Sequence, residues 1–229
     1  MTDTRDNPIN DAAGVDSLKP RDFEGYVVTN DNLPTKNTIQ KIGSFSLLDR
    51  EGSAHTFEKV ANVAERTFVI FVRHFFCGNC QEYLRALSAA IKPGSLPQDT
   101  AIVVIGCGDP RLIDMYIDAT GCKFPLYTDP ERKIFDALGM VKTLQLGDKP
   151  WYIEKPLVVS IIASICQVLR YLPKGLALSS GHHWQVGGEF MFETMDGTRQ
   201  VTWCHRMRST RDHAQLSAIE RVLKIESAA

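Results

Sequence analysis

From residue 40 onward the chain alternates between two hydrophobic periods. Ile42 to Leu48 and Ala54 to Phe57, separated by Asp49-Arg50-Glu51-Gly52, predict a β-hairpin around a glycine turn. Thr67 to Val72 is β-branched and aromatic with almost no alternation, the pattern of a strand buried on both faces. Beyond Cys77, the positions Cys80, Tyr83, Leu84, Leu87 and Ile91 repeat at helical spacing until Pro93-Gly94 stops them. Ala101 to Ile105 is a second buried strand. Leu112, Ile113, Tyr116 and Ile117 then form a helix stopped by Gly121, and Phe124 to Tyr127 a short strand. Asp129 and Pro130 read as N-cap and first-turn residue of a helix carrying Ile134, Phe135 and Leu138, closed by Gly139. Strand–helix–strand order of this kind implies a parallel sheet with right-handed crossovers.

The C-terminal third is different. Leu157 to Leu172 is an apolar stretch of sixteen residues containing Gln167 and Arg170. It falls short of the roughly 20 residues that span a bilayer, so a buried or surface-docked helix is expected rather than an integral membrane span. A polar, glycine-rich loop runs from Pro173 to Gly188. Glu189 to Glu193 and Gln200 to Cys204 flank Met195-Asp196-Gly197-Thr198 as a hairpin. Asp212 is the expected cap of a last helix bearing Leu216, Ile219, Val222 and Leu223. The expected class is therefore α/β, a central mixed sheet flanked by helices, with an extra apolar helix inserted before the C-terminal hairpin. Residues 1–36 are rich in Asp, Asn, Thr, Lys and Pro and read as a flexible arm whose second half packs on the domain. Residues 37–229 form one domain, with the insert at about 150–186.

Composition narrows the function classes. Among 229 residues the net charge is −1, with 44% hydrophobic and 23% charged residues, so no electrostatic footprint for nucleic acid appears. The N-terminus lacks a basic segment followed by an apolar one, so no signal peptide is expected. Six cysteines in such a chain then suggest reduced thiols in the cytoplasm rather than a disulfide framework.

Two of those cysteines form Cys77-Gly78-Asn79-Cys80, at the junction of a buried strand and a helix. Unpaired N–H groups and the helix dipole favour an anion there, and helix N-termini lower cysteine pKa values. Cys77 is accordingly the expected nucleophile. Cys80, one turn deeper, is the expected resolving thiol for a mixed disulfide or sulfenate on Cys77. Zinc is a weaker reading: Cys107, Cys122, Cys166 and Cys204 are scattered singly, and His182 and His183 are adjacent rather than at ligand spacing. No metal or cofactor is expected.

The run Phe71-Val-Arg-His-Phe-Phe-Cys77-Gly-Asn-Cys80-Gln-Glu-Tyr83 is joined downstream by Val104-Ile-Gly106, Tyr127-Thr-Asp129-Pro-Glu-Arg132 and Leu138-Gly-Met140. Together with Gly187-Gly188-Glu-Phe-Met-Phe192 and Cys204-His-Arg206 through Asp212-His213, these motifs resemble the peroxiredoxin-like proteins. Those proteins form the alkyl hydroperoxide reductase/thiol-specific antioxidant branch of the thioredoxin superfamily. The resemblance covers about residues 40–225 and implies a thioredoxin-like fold and antioxidant activity. Two positions depart from the parent patterns. His74 stands where peroxiredoxins carry Thr or Ser, three residues before the peroxidatic cysteine, and no Pro occurs between Thr67 and Cys77. Gly187-Gly188 occupies the stretch where thioredoxins place a cis-proline.

Other residues carry two readings each. Arg73 either stabilises a Cys77 thiolate or reaches the surface or a carboxylate. His74 serves as general base or hydrogen-bond donor, or is a packed core histidine. By resemblance, Arg206 is the late-chain arginine near the thiolate; otherwise it is a solvated charge. Cys107 is an alternative resolving thiol or a small apolar filler, and Cys122, Cys166 and Cys204 read as structural. Trp184 is expected to tuck into the core from a solvent-facing His182-His183 loop. The expected function is a thiol oxidoreductase that reduces peroxides or disulfides through Cys77 and Cys80, with an external thiol as reductant and a homodimer left open. The alternatives are a tailoring enzyme binding a small organic substrate beside the motif, and a non-catalytic binding module.

Overall fold

The computed structural model describes residues 31–153, 176 and 179–225. The apolar stretch Leu157–Leu172, Cys166 and most of the expected arm lie outside the described residues. Among the described residues, seven strands form one mixed sheet in the order β2-β1-β5-β4-β3-β6-β7. They are β1 (Ser46–Leu48), β2 (Ala54–Thr56), β3 (Arg66–Phe71), β4 (Thr100–Gly106), β5 (Leu126–Thr128), β6 (Gly188–Met195) and β7 (Thr198–Arg206). β3, β4 and β5 are parallel, whereas β6 runs antiparallel to both β3 and β7.

Alternation along the central strands sorts the core into two layers. Phe68, Ile70 and Val72 point to one face and join Ile102 and Val104. That face is covered by α3 (Gly78–Ala90), α4 (Ile113–Thr120) and α6 (Leu216–Leu223), which contribute Tyr83, Leu84, Tyr116 and Ile219. Val69, Phe71, Val103 and Ile105 point to the other face. There they meet α1 (Lys36–Gly43), α2 (Phe57–Ala61) and α5 (Lys133–Ala137). Both faces of β3 are covered, so its sequence needs no polar positions.

Several predicted boundaries move. Ile42 and Gly43 end α1 rather than opening a strand: Thr35 caps that helix by accepting from Thr38 N, and Ile39 and Ile42 bury its apolar side. Phe57 starts α2. Asp129 is not the N-cap of α5; Arg132 holds that position with φ 59°, while Asp129 Oδ2 accepts from Ile134 N at 2.8 Å. Asp212 does not cap α6, whose N-cap is Gln215. Its carboxylate instead accepts from Arg208 N at 2.8 Å. Residues 31–36, assigned above to the arm, are tied to the domain: Asp31 Oδ1 accepts from Arg206 N at 2.9 Å, and α1 begins at Lys36.

One backbone crossing positions the site. Gly187 leads into β6 where that strand passes the end of β3, and a Cβ there would lie 1.7 Å from the Phe71 carbonyl oxygen. Among the described residues no peptide bond is cis. Glycine thus achieves the close approach by having no side chain. Gly187→Ala is expected to push β6 away from β3 and to destabilise the domain by about 1–3 kcal/mol or more. Urea unfolding against the parent protein measures this; equal midpoints would show that the crossing tolerates a side chain.

Candidate active site

The loop from Val72 to Cys77 is fixed at three points before the helix starts. Val72 N donates to Ile105 O at 2.9 Å, Phe75 N to Ser180 O at 2.8 Å, and Cys77 N to His74 O at 2.9 Å. Gln81 closes the turn from the helix side, its Nε2 donating to Phe75 O at 2.8 Å. Cys77 is the N-cap of α3 with extended backbone (φ −73°, ψ 103°) and makes no cap hydrogen bond through its side chain. The positive end of the helix faces Cys77, and the Cys80 backbone N–H also favours its anion.

Arg73 reaches the same sulfur directly. Its Nη1 lies 3.1 Å from Cys77 Sγ, while Nε donates to Gln185 O at 3.2 Å and Nη2 to His183 O at 2.6 Å. The side chain is buried rather than reaching the surface, and these contacts are to carbonyls and a sulfur rather than to a carboxylate. Cys77 itself is only 4% exposed and Cys80 fully buried. The two thiols are driven apart. A hydrogen bond from Cys80, then the Arg73 charge, hold Cys77 well below the ordinary thiol range despite its burial. Burial first, and then that same hydrogen bond, push Cys80 well above it. Both are free thiols.

His74 packs edge-on against His183, ring centroids 4.4 Å apart, and its buried Nδ1 has no hydrogen-bond partner among the described residues. Burial lowers its pKa to about 4, outweighing the attraction of Cys77. Its imidazole is neutral at physiological pH, which leaves the hydrogen-bond donor reading and disfavours a base working near neutrality.

Two expected residues lie elsewhere. Arg206 is fully buried on the opposite face of the sheet from Cys77. Its guanidinium sits 5.2 Å from the Phe190 ring centroid, with Nε donating to Leu138 O at 2.6 Å and Nη1 to Asn32 O at 2.8 Å. Alternation along β7 sends this side chain away from the thiols; it ties strand, helix end and the Asp31–Asn32 segment together. Cys107 packs with that second layer, and burial raises its pKa to about 11, the behaviour of an inert filler. It lies under an open cavity of about 410 Å³ lined also by Asp109, Arg132 and His182. Trp184, expected in the core, is 56% exposed.

Two site residues lie inside the resemblance motifs quoted above, where no role was read for them. His213 and Glu189 are both completely buried, with Nδ1 and Oε1 2.6 Å apart. His213 Nε2 lies 3.5 Å from Cys80 Sγ. A further sequence signal is a carboxylate, Glu189, opening a strand in which the next three residues are apolar. Among the described residues no group of three or more potential metal ligands occurs, and no helix is long and apolar enough to cross a membrane.

Comparison with known proteins bears on this geometry. The family model described as AhpC/TSA antioxidant enzyme matches residues 84–209, just over half of the chain. The chain belongs to that family. Curated relatives agree: peroxiredoxin-like 2C of Takifugu rubripes is 31% identical over 189 residues, 78% of each chain. The Mus musculus protein of that name is 27% identical over 187 residues, covering 81% of this chain and 80% of its own. A peroxiredoxin-like protein from Aquifex aeolicus superposes with a TM-score of 0.51 at 7% identity, covering 90% of this chain and 95% of its own. The chain thus resembles peroxiredoxin-like proteins, and the structural likeness agrees in fold with the mixed sheet described above.

Arg73→Met is expected to move Cys77 ionisation to higher pH, because removing the cation favours the neutral thiol. Hydrogen bonds to charged groups are worth about 1.5–3 kcal/mol, so reaction of Cys77 with an oxidant at pH 7 is expected to fall about tenfold or more. Thiolate ultraviolet absorbance followed across pH checks the direction; an unmoved titration would exclude Arg73 as the stabilising charge. Arg206→Met, in contrast, is expected to lower stability by about 1–3 kcal/mol while leaving the Cys77 titration in place.

Proposed function

We propose that this protein reduces small hydroperoxides through Cys77, with Cys80 as resolving thiol. The observation that carries the reading is the Arg73 guanidinium 3.1 Å from Cys77 Sγ, at the N-terminus of a thirteen-residue helix. A cation and a helix end converging on one sulfur favour the thiolate, which is the nucleophilic form. The 4% exposure of Cys77 favours a small oxidant over a folded protein disulfide, which needs an open docking edge.

The chemistry balances in three steps. The Cys77 thiolate attacks one oxygen of ROOH, the O–O bond breaks, and the alkoxide leaves with a proton from solvent, giving Cys77–SOH. Cys80 then displaces hydroxide to form the Cys77–Cys80 disulfide. Two equivalents of an external thiol reduce that disulfide and become a disulfide themselves. His74 takes the place of a hydroxyl residue beside the peroxide, as a neutral imidazole with hydrogen-bonding capacity to spare.

Cys77→Ser is expected to abolish thiol-dependent peroxide consumption. Cys80→Ser is expected to leave the first oxidation intact, to accumulate the Cys77 sulfenate, and to lose turnover with dithiol reductants. Mass spectrometry after a stoichiometric peroxide pulse distinguishes these species. Full peroxidase activity in Cys77→Ser would exclude the reading.

A further inference from the structure

The thiol reading leaves one step without a base. Cys80 has to lose a proton to attack Cys77, yet it is fully buried and burial holds it in the thiol form. Arg73 does not supply the function, because a guanidinium has no acceptor.

The side chain that faces Cys80 from the opposite side is His213. Glu189, the second residue of β6, stands opposite Ile70 in β3 and His205 in β7. It projects into the same core layer as Met191, two residues on. A fully buried carboxylate needs partners, and here both oxygens have them. Oε1 lies 2.6 Å from His213 Nδ1, and Oε2 accepts from Ala214 N at 3.4 Å. In the tautomer that donates Nδ1–H to Glu189, the ring presents its other nitrogen, Nε2, as the acceptor. That nitrogen points at Cys80 Sγ, 3.5 Å away. The ring plane is fixed as well. Tyr83 stacks on it at 3.9 Å with an interplanar angle of 2°, and Tyr152 closes it edge-on at 6.1 Å.

We propose that His213, oriented by Glu189, is the general base that takes the Cys80 proton as the Cys77–Cys80 disulfide closes. The inference rests on the thiol reading above and adds the residue that drives its second step. In that step the Cys80 S–H bond breaks and its proton passes to His213 Nε2. The freed electron pair forms the S–S bond as the Cys77 S–O bond breaks. The departing hydroxide takes the proton back from the imidazolium and leaves as water, so no outside oxidant or reductant enters. His213 touches a reacting atom and is catalytic; Glu189 acts through it and is a positioning residue.

The other groups around this pair do not compete for the proton. Cys77 and Arg73 face Cys80 from the helix start. Tyr83 of α3, Tyr116 of α4 and Tyr152 of the turn after Pro150 complete the surroundings. Burial raises the pKa of all three tyrosines.

The test separates the two oxidation steps in the full-length reduced protein. A single equivalent of hydrogen peroxide is mixed in, and samples are quenched over time with a sulfenate trap and an alkylating agent for mass spectrometry. His213→Gln and Glu189→Gln are expected to form the Cys77 sulfenate at the parent rate. General-base catalysis contributes about 10²–10⁴-fold, so closure at pH 7 is expected to slow about 100-fold in His213→Gln. In Glu189→Gln it is expected to slow about tenfold. Both deficits are expected to shrink as pH rises and hydroxide removes the proton instead. Glu189→Gln keeps an acceptor for Nδ1–H, so it decides the matter if His213→Gln does not fold. Closure at the parent rate and with the parent pH profile in the folded variants, with sulfenate forming normally, overturns the assignment of the base alone. A parent protein that forms no sulfenate overturns the thiol reading, and the base with it.

Discussion

The structure around the motif depends on one buried cation. Arg73 is withdrawn from water, and its three nitrogens donate to two backbone carbonyls and a sulfur. Among the described residues, the anion that answers its charge is the Cys77 thiolate. A guanidinium stays charged in any protein environment, so burial does not relieve the cost by neutralising it. The cheapest compensation is ionisation of the nearest thiol. Thiolate and guanidinium therefore stabilise each other, and the reactive form of Cys77 is part of what makes the buried arginine tolerable. The carbonyls of His183 and Gln185 serve the same end, and the segment carrying them is placed by Gly187, which lets β6 pass close against Phe71.

Two cysteines three residues apart end up chemically opposite for a related reason. Cys77 caps the helix beside the cation, whereas Cys80 has turned into the layer beneath, among Tyr83, Tyr116 and Tyr152. The hydrogen bond between the thiols can help only one of them ionise: the proton that stabilises Cys77 is the one Cys80 keeps. A redox pair needs that asymmetry, since one sulfur attacks the oxidant and the other has to wait. In the proposed mechanism the cost is a resolving thiol with little nucleophilic character at neutral pH, and the proposed base, His213 with Glu189, lies beside it.

How much of this was legible in the sequence follows from the range over which each feature is determined. β3, β4, the helix after Cys77 and the hairpin at Asp196-Gly197 are encoded in local periods and turn residues, and they stand within a few positions of where the pattern puts them. The Cys77-Gly-Asn-Cys80 motif was legible because a strand–helix junction is itself a local signal. α1 was not, because its short apolar face of Ile39 and Ile42 continues without a break into the next strand. Arg206 was misplaced by analogy of chain position: an arginine ending β7 faces either side of the sheet according to register, and register is a property of neighbouring strands. Here the pairing of Arg206 with Gly188 sends it over Phe190. His213 and Glu189 are 24 residues apart, in elements that look ordinary alone, and only their folding onto Cys80 makes them a site.

The family match adds a separate point about where information on chemistry resides. It begins at Leu84, beyond both cysteines of the motif, and so describes the scaffold from the helix body to Ser209. The reactive end has to be judged on its own residues, and there His74 departs from the hydroxyl pattern. With a pKa near 4, the His74 ring carries no charge into the site at neutral pH. It can therefore replace a hydroxyl in polarity without competing with Arg73 for the thiolate. A lysine or arginine at the same position would place a second buried cation against the first. The departure from the pattern is thus compatible with the electrostatics that Arg73 imposes, because the substitute stays neutral.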